Sequence, residues 1–119
     1  MLASVVRLTV RLTPNQGQLD EFRSIAQAMT EATQAEPGAL GYEWFTGANG
    51  QFHLLETYVD AGAVLAHFLG PVVQQMVPRL ASVCSVDGFE VYGDPGPEVG
   101  AMVAGFGAQI LTYWQGLDR

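Results

Sequence analysis

Residues 5–12 alternate in character: Val6, Leu8, Val10 and Leu12 are apolar, and Arg7, Thr9 and Arg11 stand between them. A period of two marks a strand with one buried face. Thr13-Pro14 then predicts a helix start, with a capping hydroxyl followed by a proline at the first helical position, where a missing N–H costs nothing. Beyond it the period lengthens. Leu19, Phe22, Ile25, Ala26, Met29 and Ala32 recur at helical spacing, with Asp20, Glu21, Arg23 and Gln27 on the other side. This predicts one amphipathic helix over about residues 14–35, stopped by Glu36-Pro37-Gly38.

Two strands follow, Ala39 to Thr46 and Gln51 to Val59, joined by Gly47-Ala48-Asn49-Gly50. The Asn-Gly pair favours the backbone twist of a hairpin turn. Asp60 is placed to cap a short helix through Phe68, which Gly70-Pro71 breaks, and a second helical piece covers about Val72 to Leu80. Residues 82–92 read as a fourth strand with a bulge or bend at Gly88. Strand, helix, strand, strand, helix, strand is the βαββαβ order of a ferredoxin-like α+β sheet with its helices on one face. We therefore divide the chain into a domain at 1–93 and a C-terminal extension at 94–119, expected to pack on a sheet edge or on a partner. In the extension Val99, Met102, Val103 and Phe106 fall at helical spacing, and 110–114 reads as a short strand.

Composition changes the picture in two ways. The chain has 119 residues, one domain's worth, and only 14% are charged against 49% hydrophobic, where an average soluble domain has roughly 25% charged. Part of so weakly charged a surface is expected to be covered, and the open sheet face of a second copy across a twofold axis is the simplest cover. The net charge is −7, which argues against nucleic acid as a partner. All five basic residues are arginines, which excludes lysine Schiff bases and the P-loop phosphate clamp. A solitary Cys84 excludes an internal disulfide and a thiolate-rich zinc site, and with His53 and His67 it forms no metal-ligand spacing. No apolar run is long enough to span a membrane, and Arg7 and Arg11 interrupt any secretory core, so a cytoplasmic location is expected.

Three segments together carry a resemblance: Glu36-Pro37-Gly38-Ala39-Leu40-Gly41-Tyr42-Glu43-Trp44-Phe45, then Phe52-His53-Leu54-Leu55-Glu56-Thr57-Tyr58-Val59-Asp60, then Ala63-Val64-Leu65-Ala66-His67. In this order and spacing, over residues 3–92, the chain resembles the antibiotic biosynthesis monooxygenase family. The resemblance implies a dimeric α+β barrel, two ferredoxin-like sheets face to face, with a pocket in each monomer between sheet and helices. It implies oxidation of phenolic or quinol-type substrates by molecular oxygen, with neither metal nor flavin. Fold alone does not give chemistry, and the superfamily includes haem-degrading enzymes. Those need an asparagine on the first strand and a histidine in the helical region after the third; strand one has no asparagine here and the stretch Pro71 to Leu80 has no histidine, which argues against haem degradation. Tyr58 stands where the family often carries tryptophan.

Oxygenation without a cofactor needs a dry pocket, aromatic walls, and a group to take the substrate's proton or hold an oxyanion. Tyr42, Trp44, Phe52 and Phe68 are the candidate substrate-binding walls. His67, whose free imidazole titrates near about 6.5, Glu56 and Tyr58 are the candidate catalytic groups. Each has a plainer reading. His67 would bond a backbone carbonyl or Glu56, Glu56 would pair with an arginine or His67, and the aromatics would be core or dimer interface. Arg7 and Arg11 are read as ion-pair partners across strands or across a dimer, His53 as exposed or interfacial, and Cys84 as core. The expected function is a cofactor-independent monooxygenase, a homodimer acting on a small aromatic substrate. The alternatives are a non-catalytic small-molecule-binding or regulatory dimer and a non-oxidative enzyme on the same scaffold.

Overall fold

The alternation at the N-terminus becomes the central strand. In a computed structural model describing residues 2–119, β1 (Val6–Pro14) buries Val6, Leu8, Val10 and Leu12 almost completely. It is followed by α1 (Leu19–Thr33), β2 (Ala39–Thr46), β3 (Phe52–Tyr58) and α2 (Ala61–Leu69). A π-helical turn (Val72–Met76) then runs into α3 (Val77–Ala81), followed by β4 (Cys84–Tyr92), α4 (Pro97–Ala104) and β5 (Gln109–Leu111). The strands form one open sheet in the order β2-β3-β1-β4-β5, antiparallel except for the parallel pairing of β4 with β5. With β1 between β3 and β4, the first four strands have the ferredoxin-like topology that the chain pattern predicts.

The helix start is not where Thr13-Pro14 points. The ladder between β1 and β4 continues through that pair, with Thr13 opposite Ser85 and Pro14 opposite Cys84. Proline is tolerated at a strand end because its missing donor breaks no further pairing, and the Thr13 hydroxyl donates to Asp87 rather than capping a helix. The chain turns at Gly17, whose φ of +81° suits glycine, and α1 begins at Leu19 with no side-chain cap at Gln18. Asp20 and Glu21 in the first turn complement the helix dipole instead. Phe22, Ile25 and Met29 form the buried stripe of α1; each is worth roughly 1.5–3 kcal/mol of burial.

Other local signals act as read. Asp60 accepts a hydrogen bond from the Ala63 backbone N–H at 2.9 Å and caps α2. Asp87 is the extra residue of a β4 bulge, with Gly88 opposite Arg11. The Arg11 guanidinium lies over Gly88, where a Cβ would collide with it, and reaches Glu90 at 2.6 and 3.1 Å. This is the cross-strand ion pair expected of Arg11. Cys84 is buried and His53 is exposed.

The C-terminal segment packs on this same sheet. Val99 and Val103 of α4 join the core beside α2, and β5 pairs with the β4 edge. The strand is Gln109–Leu111, earlier and shorter than 110–114, and Phe106 lies past the end of α4 in a glycine-flanked turn.

The helices cover one sheet face in two patches. Val10, Leu12 and Leu54 pack with α1 and the α3 region, whereas Val6, Leu8, Tyr58 and Val91 pack with α2 and α4. The other face has no cover, and Phe45, Leu55, Val59 and Tyr92 are exposed. Among the described residues no helix is long and apolar enough to cross a membrane.

Candidate functional site

A cavity of about 150 Å³ opens where the two core patches meet, between the sheet and the α2–α3 region. Its walls are almost wholly apolar, from Val10, Leu12 and Leu54 on the sheet to Val73 in the π-helical turn and Val77 and Leu80 in α3. A π-helical turn beside a cavity is a frequent companion of functional sites. Apart from the Cys84 thiol, the polar groups facing it are those of Tyr42, Glu56 and His67. Cross-strand pairing sets Tyr42 on β2 beside Glu56 on β3, and α2 brings His67 down over them, with its ring 5.7 Å from that of Tyr42 and 5.2 Å from that of Tyr58.

His67 is 2% exposed and held on one side by a residue far away in the chain. Its Nδ1 lies 2.9 and 3.0 Å from the two carboxylate oxygens of Glu36. A carboxylate only accepts here, so the geometry assigns a proton to Nδ1, and Nε2 faces inward. Nε2 is 3.7 Å from Glu56 Oε1, beyond a direct hydrogen bond. That oxygen is already used: the Tyr58 hydroxyl donates to it at 2.6 Å.

Burial is the main influence on Glu56, pushing its carboxyl above the ordinary carboxylate range, with the charge of Glu36 acting the same way. His67 and the Tyr58 hydrogen bond oppose that push. Burial likewise raises the Tyr42 and Tyr58 hydroxyls well above the usual phenol value, helped in both by the Glu56 charge, so both stay protonated donors. Cys84 is pushed up to about 11, by burial first and Asp87 second, so it lines the cavity as a neutral thiol. The arrangement provides a proton acceptor at Glu56 or His67 Nε2, hydroxyl donors beside it, and a second carboxylate to stabilise an imidazolium. Among the described residues no three histidine, cysteine or carboxylate side chains gather as a metal site.

Of the residues singled out from the chain, His67, Glu56, Tyr42 and Phe68 are brought together around the cavity. Tyr58 stands behind Glu56, wholly buried, and touches the cavity only through that carboxylate. Trp44 and Phe52 lie elsewhere, lining an open depression beside α1. They share the inward phase of their strands, but α1 comes between: Phe22 packs against both rings, and the Trp44 indole N–H donates to Thr30 at 2.8 Å. The plainer expectations for the polar pair are met in part. Among the described residues Glu56 pairs with no arginine but lies at ion-pair distance from His67, 3.7 Å, and the direct hydrogen bond of His67 goes to Glu36, not to a backbone carbonyl. In the chain pattern Glu36 stands in the helix stop and at the head of the first resembling segment, with nothing there to mark it as a partner of His67. Pro37 and Gly38 suffice to end a helix, so the glutamate before them is the member of the triplet with no local reason to be there.

Several solved structures share this fold. MupZ from Pseudomonas fluorescens superposes with a TM-score of 0.84 at 21% identity, over 98% of this chain and 95% of that one. Rv0793 from Mycobacterium tuberculosis gives 0.70 at 23% identity, over 79% of this chain and 98% of that one. SnoaB, a cofactor-independent oxygenase from Streptomyces nogalater, gives 0.68 at 13% identity, over 80% of this chain and 97% of that one. No curated protein matches the chain. The family model described as antibiotic biosynthesis monooxygenase matches residues 5–79, well over half of the chain and every strand and helix that positions Glu36, Tyr42, Glu56 and His67. The chain belongs to the antibiotic biosynthesis monooxygenase family.

Proposed function

We propose that this protein is a cofactor-independent monooxygenase that oxidises a small phenolic or quinol-type substrate with molecular oxygen. The observation that carries the reading is the cavity itself: a largely apolar chamber lined by Glu56, His67 and Tyr42 as its main polar residues. Its volume of about 150 Å³ is that of a space that holds a benzene-sized ring, which favours a single-ring substrate over a polycyclic one.

The substrate hydroxyl gives its proton to Glu56 or to His67 Nε2, and Glu36 stabilises the positive ring that results in the second case. The phenolate, electron-rich and shielded from water, passes an electron to oxygen, and the radical pair recombines as a ring peroxide. Loss of water from that peroxide leaves the quinone, so one phenol and one oxygen molecule become one quinone and one water. Tyr42, which lines the cavity, is the residue we assign to hydrogen-bond the developing oxyanion or peroxide. Oxygen uptake by the purified protein, incubated with a panel of phenols and hydroquinones in the presence of chelator, tests this. Uptake with quinone formed in equal amount is expected; no uptake across the panel overturns the reading.

The same proposal includes a homodimer through the open sheet face. It is supported by the exposed Phe45, Leu55, Val59 and Tyr92 on that face and by the low charge of the chain.

A further inference from the structure

We propose that Phe106 is a specificity-determining residue: it forms the outer wall of the cavity and limits the length of the molecule admitted. The inference rests on the reading of that cavity as the substrate site and goes beyond it, since Phe106 lies outside the segment matched by the family model, residues 5–79.

Phe106 is the one residue following α4 that lines the cavity, and it does so while 54% exposed. A side chain that faces both the cavity and solvent stands at the rim. Opposite the buried end, where Glu56 and His67 sit, the rim is completed by Phe89 and the exposed Val86, both from β4. The Phe106 ring lies nearly parallel to that of Phe89, at 6.3 Å between centroids and 22° between planes. Stacked aromatic rings favour this contact modestly, which helps to hold Phe106 against the rim.

The backbone presents the ring without supporting side chains. Phe106 sits between Gly105 and Gly107, the latter at φ +75° with open space where a side chain would be. The turn is tied at its base, Phe106 N–H and Ala108 N–H both donating to the Val103 carbonyl at 3.0 and 3.1 Å. The main chain is therefore held, and on the Gly107 side there is open space beside the ring. A substrate whose hydroxyl reaches Glu56 and whose ring fills the chamber meets Phe106 as soon as it is extended by a fused ring.

The test measures binding, kept apart from turnover. Affinities of phenol, a naphthol and a hydroxyanthracene are measured by calorimetry under argon for the wild type, Phe106→Ala and Phe106→Trp. Wild type should bind phenol best and the hydroxyanthracene least. Phe106→Ala should raise affinity for the larger two by roughly tenfold to hundredfold, the range that added apolar groups are worth in a pocket, so that the preference for phenol is lost. Phe106→Trp should steepen the wild-type preference. An unchanged size ranking in Phe106→Ala overturns the inference and leaves the oxygenase reading standing. A ranking that shifts as expected, with no oxygen uptake in air, supports the inference and overturns the oxygenase reading. If none of the three proteins binds any of the ligands, both fall.

Discussion

At the scale of single residues, the two carboxylates around His67 have different work. Glu36 grips Nδ1 with both oxygens and is partly open to solvent; Glu56 is buried against the other nitrogen and faces the cavity. Glu36→Gln keeps the shape but removes the charge that stabilises a protonated ring. It should lower kcat roughly tenfold to hundredfold, the scale of a partner that orients a histidine, with KM little changed in steady-state oxygen uptake. Loss of the histidine itself, in His67→Ala, should cost about 10²–10⁴ in kcat. Glu56 also has a pH consequence. Its carboxyl is raised above the ordinary 4.5 in the folded chain, so between that value and the raised one the folded state holds a proton that the unfolded state has lost. Stability therefore falls as pH rises through that window. Glu56→Gln removes the titration while keeping an acceptor for Tyr58, so its melting temperature should lose less than the wild type's from weakly acid to neutral pH. An equal loss in both proteins would show that Glu56 is not the group responsible. The contact between Glu36 and His67 was not visible from periodicity, since the two are 31 residues apart.

At the scale of elements, α2 matters because it carries His67, and its distance from the sheet is set at Gly38. A Cβ built on Gly38 lies 2.5 Å from that of Ala63 in the first turn of α2. Helix and chain approach there as closely as backbones without a side chain allow. Gly38→Ala should push α2 outward and cost about 1–3 kcal/mol as overpacking does, lowering activity with stability; the pair Gly38→Ala with Ala63→Gly should recover most of both. Denaturant titration together with oxygen uptake checks this. Element identity was largely legible, because alternation in β1 and the apolar stripe of α1 are imposed by burial on one face. Element ends were less so. Thr13-Pro14 satisfies the rules for a helix start and for a strand end equally well, and only the presence of β4 alongside decides between them.

At the scale of the whole molecule, one sheet face is covered by α1, α2, α3 and α4 and the other is bare. Burying the exposed Phe45, 52% accessible in the single chain, against a second copy would remove the largest apolar side chain of that face from water. Light scattering should give about twice the 12.8 kDa chain mass. Phe45→Glu, which sets a charge in that interface, should halve it at micromolar concentration without unfolding the protein by circular dichroism. A wild-type mass of one chain would exclude the dimer.

Period two, period 3.6 and the turn residues between them determined the element order and hence the ferredoxin-like sheet, because these patterns reflect which side of each element is hidden from water. The same alternation keeps Tyr42 in phase with Trp44, and Glu56 in phase with Tyr58, on their strands. Tertiary structure alone decided that the cavity lies at the seam between two helix layers, that α1 screens Trp44 and Phe52 from it, and that Glu36 and Phe106 border the same small space from distant parts of the chain. These are contacts across long separations, and a pattern of local burial carries no information about which buried faces meet.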